Sequence, residues 1–154
     1  MGIAKSLVER QHDMLRRRDL GGVPDLYTIS GYFSMGGVRV SPPDLPAIMH
    51  AYFSAFPDAD NEVTDWIETP TGIAVEQVIT ATHAGPWMTA FGELAPTGRT
   101  VRWQAVEFVR IDEERIASWN SYFDQLAVLV ALGVESVGPA SRESINTRDA
   151  GGPP

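Results

Sequence analysis

Residues 99 to 124 read RTVRWQAVEFVRIDEERIASWNSYFD, and the patterning of this stretch decides the architecture. Two runs rich in valine, isoleucine and aromatic residues flank Asp112-Glu113-Glu114, a polar turn signal. The chain is therefore expected to fold back here as a long antiparallel hairpin. Upstream, NEVTDWIE (61–68) and GIAVEQVITATHAG (72–85) have the same character and are joined by Thr69-Pro70-Thr71-Gly72. A further turn signal, Ala95-Pro96-Thr97-Gly98, separates them from the hairpin. Four long antiparallel strands result.

The pattern ahead of Asn61 is different. IAKSLVERQHDMLRRRD (3–19) carries Ile3, Leu7, Val8, Met14 and Leu15 at helical spacing and ends before Gly21-Gly22. VPDLYTISGYFSMGG (23–37) suits a bent edge strand closed by a glycine pair. SPPDLPAIMHAYFSAFPD (41–58) predicts a second helix with Asp44 as N-cap and a buried stripe of Leu45, Ile48, Met49, Tyr52 and Phe56. A short helix, QLAVLVAL (125–132), closes on Gly133. Helices gathered on one face of a curved antiparallel sheet make an α+β cone with an apolar interior. One domain is expected over residues 1–134. Residues 135–154 have too few apolar groups to offset ordering entropy and read as a flexible tail.

Composition narrows the function. A chain of 154 residues with a formal charge of −8 opposes the polyanion of nucleic acid, and Arg16-Arg17-Arg18, its one basic cluster, reads as a solvated helix end. No apolar run spans a membrane and no leader opens the chain, so a cytoplasmic protein is expected. The absence of cysteine removes thiol nucleophiles and thiolate metal sites. His12, His50 and His83 fall on separate elements without ligand spacing, so no metal site is expected. His12 and His50 read as solvated, His83 as structural.

FPDADNEVTDWIE (56–68), TATHAG (80–85), APTGRTVRW (95–103) and WNSYFDQLAVLVALG (119–133) together resemble the SnoaL-like polyketide cyclase branch of the nuclear transport factor 2-like superfamily. The resemblance covers residues 3 to 134. It implies the cone fold, and an aspartate at the end of the last strand as general acid and base; Asp124 matches that position. Limonene-epoxide hydrolases, a sister family, end the same strand in a similar Tyr-Phe-Asp. They also carry an Arg-x-Asp pair where this chain has Glu76 and Val78, and a Tyr and an Asn near Phe33 and Met35. All four departures speak against simple epoxide hydrolysis.

With Asp124 taken as inward, strand parity brings Asn120 and Tyr122 onto its face. The same reasoning points Glu76, Val78, Thr80 and Thr82 inward on one neighbour and Gln104, Val106 and Phe108 on the other. Trp103 and Glu107 then lie outside. Asp124, Glu76 and Gln104 are the candidate catalytic residues. Asp124 has two readings, helix N-cap or proton carrier. If Glu76 shares its chamber, the two carboxylates cannot easily ionise together. Gln104 would polarise a carbonyl. Candidate substrate contacts are Phe33, Met35, Trp66, Val78, Thr80, Trp87, Met88, Val106, Phe108, Asn120 and Tyr122, with Trp87-Met88 on a loop as lid or anchor. The expected partners are a hydrophobic polyketide-like small molecule and a second copy, paired through outward Val101, Trp103 and Ala105. The expected activity is a cofactor-independent cyclase of late polyketide assembly. The alternatives are a non-catalytic small-molecule binder and an epoxide-opening hydrolase or cyclase of the same fold.

Overall fold

A computed structural model describes residues 2–89 and 91–135. Helix α1 (Ile3–Arg17) leads through a short 3-10 turn to β1 (Tyr27–Met35) and β2 (Val38–Val40). Helix α2 (Leu45–Ala55) follows, then β3 (Asp60–Thr69), β4 (Gly72–Thr82), β5 (Trp87–Thr89), β6 (Gly92–Leu94), β7 (Thr100–Asp112), β8 (Arg115–Phe123) and α3 (Gln125–Ala131). Six strands form one curved sheet in the order β2-β1-β8-β7-β4-β3, with helices packed on its inner face.

The four long strands pair antiparallel as their turn signals require, but the sheet as a whole is mixed. Strand β1 runs parallel to β8, with Phe33 beside Trp119 and Met35 beside Ser121. It is also not the edge. Gly36 and Gly37 both adopt positive φ, and that turn adds β2 outside it. A register shift between Tyr27 and Tyr32 supplies the expected bend. Trp87-Met88 lies on a strand rather than a loop, since β5 and β6 make a separate two-stranded ribbon. The stretch expected to form a tail lies, from residue 136, outside the described residues.

Helix α1 begins without a side-chain cap of its own. The Glu68 carboxylate, on β3, accepts from the backbone amides of Gly2 (3.3 Å) and Lys5 (3.0 Å), and so fixes the helix start against the sheet edge. At the other end Arg18 turns left-handed and Asp19 N donates to Met14 O at 2.9 Å. The buried face of α1 is Ala4, Val8, Gln11 and His12, so two polar side chains sit on the stripe that meets the core. In α2, Leu45 and Met49 are buried as expected, as is Phe56 just past its end, but Ile48 is exposed; Asp44 stands at the N-cap position and makes no side-chain cap bond.

The core has two parts. One joins α1 to β1, β4, β7 and β8 around Trp119, Val75 and Ile116. The other gathers Phe56, Ala81, Val101, Val128 and Leu132 under α3. None of the described helices is long and apolar enough to cross a membrane.

Candidate active site

The face of each long strand follows from which residues stand opposite one another. Across β4, β7 and β8, Val75 pairs with Glu107 and Glu107 with Ser121. Gln77 pairs with Ala105 and Ala105 with Phe123. These residues point to the helices. The next set, Glu76–Val106–Tyr122 and Ala74–Phe108–Asn120, points to the outside.

The expected inward set is therefore displaced by one residue. Glu76, Thr80 and Gln104 are exposed on the outer face, joined there by Val78, Val106, Phe108, Asn120 and Tyr122. For β8 the cause lies at Asp124: the strand ends at Phe123 and Asp124 already belongs to the helix start, so counting back from it as an inward strand position misplaces Asn120 and Tyr122. On β4 the match of Glu76 and Val78 to the hydrolases' Arg-x-Asp pair sets the same wrong parity. Val101, Trp103 and Ala105 move the other way: Val101 and Ala105 are buried in the core and Trp103 lines the cavity.

Asp124 is exposed, and its Oδ1 accepts from Ala127 N at 2.9 Å, the bond that caps α3. It does not line the cavity. Asp124→Asn, which keeps the capping oxygen, is expected to leave both thermal stability and activity near wild type. Asp124→Ala should cost about 1 kcal/mol with activity still near wild type once folded. A large loss of rate in a stable Asp124→Asn protein would restore the aspartate as proton carrier.

A cavity of about 80 Å³ does open between the sheet and the two N-terminal helices. Its walls are mostly apolar: Phe33, Met35, Met49, Phe56, Trp87 and Phe123 among them. Phe33, Met35 and Trp87 are thus placed on the cavity as expected. Met88 is exposed, and Trp66 sits half-exposed with the Lys5 ammonium 3.6 Å from its ring centre.

Polar groups converge on one side of this apolar chamber. Glu107 on β7 and His12 on α1 are both buried, 6% and 4% exposed, and His12 Nε2 lies 3.2 Å from Glu107 Oε2. The imidazole meets the Trp119 ring edge-on at 5.7 Å. Gln77 accepts from Asn61 Nδ2 at 3.0 Å through its Oε1. Tyr52 reaches the cavity from α2, and burial pushes its phenol well above the usual tyrosine range, so it is a protonated donor. His12 reads from sequence as a solvated helix residue and Glu107 as an outward one; both are instead buried on the cavity wall. The sequence does hold a signal for His12, which falls on the helical face of Ala4, Val8 and Leu15.

His83 is buried, with Nδ1 3.2 Å from Thr97 Oγ1 and its ring beside Phe56 and Trp87. Burial lowers its pKa, in keeping with a neutral structural ring. Among the described residues no three His, Asp or Glu side chains are grouped to hold a metal ion.

A sequence model of the family described as SnoaL-like polyketide cyclase matches residues 5–132. The chain belongs to this family. No curated protein matches it. Among solved structures it is similar to AclR of Streptomyces galilaeus, a proposed hydroxylase, with 27% identity and a TM-score of 0.71 over 84% of this chain and 95% of that one. It is also similar to IdmH of Streptomyces antibioticus, a proposed polyketide cyclase, at 19% identity and TM-score 0.71 over 85% and 99%. A SnoaL-like polyketide cyclase of Agrobacterium tumefaciens matches at 16% identity and TM-score 0.70 over 86% and 99%. The last two likenesses are ones of fold. Family membership supports a cyclase-type role for the chain.

Proposed function

We propose that this SnoaL-like family member closes a ring on a polyketide-like substrate by proton transfer, with the His12–Glu107 pair as its acid–base centre. The observation that carries the reading is that pair: a carboxylate and an imidazole 3.2 Å apart, walled by apolar side chains. In the Nε2–H tautomer His12 donates to Glu107 and aims the carboxylate's free lone pairs. Glu107 removes a proton from a carbon next to a ketone, and the C–H electron pair becomes an enolate. The enolate carbon then bonds to a second carbonyl carbon of the same chain, whose oxygen takes the proton back from Glu107. Atoms and charge balance with no oxidant or cofactor. The apolar walls would hold the chain folded for attack, which can supply a large share of the rate.

This departs from the aspartate expected at the strand end. It also differs from the hydroxylation proposed for AclR. The test is direct: purified protein and a polyketide with an unclosed ring, followed by absorbance in cofactor-free buffer. Acceleration over buffer alone supports the reading, and binding without turnover would leave a carrier protein.

A homodimer belongs to the same proposal, with the surface corrected. Phe108 (49% exposed) and Tyr122 (58% exposed) pack edge-to-face at 6.3 Å on the outer sheet, beside half-buried Val106. Exposed aromatics on the outer sheet face suit pairing with a second copy. Phe108→Glu would place an unpaired charge there and should shift the protein to monomer in sedimentation equilibrium. A monomeric wild type at high concentration would dismiss the dimer.

A further inference from the structure

The cavity holds two hydrogen-bond donors that no described residue uses. Gln77 Nε2 and Trp119 Nε1 are both buried, their residues 0% and 1% exposed, and neither has a partner among the described residues. Both side chains line the cavity. Buried donors are nearly always paired in folded proteins, because leaving one unmade costs the desolvation of the group. An indole N–H can only donate. The amide of Gln77 is oriented too, since its oxygen is taken by Asn61 Nδ2 and its nitrogen is therefore left for another acceptor.

Their placement relative to Glu107 is specific. Glu107 stands opposite Val75 on β4 and Ser121 on β8. Gln77 is the next inward residue after Val75, and Trp119 the one before Ser121. The two donors therefore sit diagonally on either side of Glu107 across three adjacent strands, both facing the cavity. Trp119 also contacts His12, the other half of the pair. Tyr27 and Gln11 carry unpaired buried atoms as well, but the Tyr27 side chain is outside this cavity.

We propose that Gln77 Nε2 and Trp119 Nε1 bind the carbonyl oxygens of the substrate and stabilise the enolate that forms when Glu107 removes the neighbouring proton. This rests on the reading of Glu107 as the base. The ligand is then an apolar ring or chain with oxygen acceptors on the edge that meets β4, β7 and β8. Two donors fixed beforehand, in a mostly apolar chamber, act on the charge as it develops on oxygen. The role once assigned to Gln104 thus falls to a glutamine on the opposite face of the neighbouring strand.

The test compares 2-tetralone with tetralin, which share a bicyclic frame and differ by one carbonyl. The ketone is expected to bind at least about tenfold more tightly, the scale of one buried donor satisfied rather than stranded. At least one of Gln77→Leu and Trp119→Phe should remove most of that preference, while Glu107→Gln keeps it. A ¹⁵N-indole spectrum of the wild type guards against a misfolded variant: the Trp119 N–H resonance should move downfield with the ketone and not with tetralin. Equal binding of the two probes, no binding of the ketone, or a preference that survives both substitutions would overturn the proposal. Equal binding would mean that water serves these donors. Loss of the preference in Gln77→Leu with ring closure unaffected by Glu107→Gln would instead retain the oxygen site and remove the base.

Discussion

Glu107→Gln is expected to lower the rate of ring closure by ~10²–10⁴-fold, the range of a positioned general base, while the protein stays folded. The substitution preserves shape and keeps a hydrogen-bond acceptor for His12, but an amide cannot take a proton from carbon. His12 acts through Glu107, so it is a positioning residue and its variants should grade. His12→Phe strands the buried carboxylate without its donor, whereas His12→Gln can still offer an N–H and should recover part of the rate. Because the two side chains work as a unit, the double variant His12→Phe/Glu107→Gln should be no slower than Glu107→Gln alone. Additive losses, measured by single-turnover kinetics, would mean that the two residues act separately.

The second large effect concerns the far wall of the cavity. Phe56 is 1% exposed and its ring lies 5.2 Å from both His83 and Trp87, 5.6 Å from Tyr52 and 6.0 Å from Trp103. It joins α2 to the ends of β4 and β7, and few neighbours could move to refill its place. Phe56→Ala should cost about 3–5 kcal/mol, which for a domain of this size lowers the melting temperature by on the order of 10 °C. Phe56→Leu, which keeps most of the volume, should cost much less. Calorimetry on the two variants checks the ordering. A small effect of the alanine would show that the aromatic cluster is not a support of the fold.

The elements were largely legible from local pattern. Valine, isoleucine and aromatic runs broken by polar turns located β3, β4, β7 and β8, and Leu45, Met49 and Phe56 marked the buried face of α2. The inward faces of the strands were not, and one residue shows why. A strand carries a period of two, so its inner face depends on a single anchor. Asp124 looked like the last residue of β8 but is the first of the helix turn, and the anchor was wrong by one. Trp103 and Glu107 then exchanged sides with Gln104 and Phe108. The sequence offered a check in Glu107, set among Ala105, Val109 and Val101, whose burial as a set makes the face of β7 plain. His12 was hidden differently. A polar residue on a helix reads as solvated, and only the company of Ala4, Val8 and Leu15 on the same face marks it as buried. The parallel pairing of β1 with β8 is a long-range contact that no local pattern encodes.

The central claim is that Glu107, and not Asp124, moves the proton, and it can be measured without knowing the natural substrate. In deuterated buffer, the α-hydrogens of 2-tetralone exchange by way of the enolate, and proton NMR follows their loss. Wild type and Asp124→Asn are predicted to accelerate that exchange alike, and Glu107→Gln to fall to the buffer rate. Exchange that persists in Glu107→Gln and disappears in a folded Asp124→Asn would contradict the assignment.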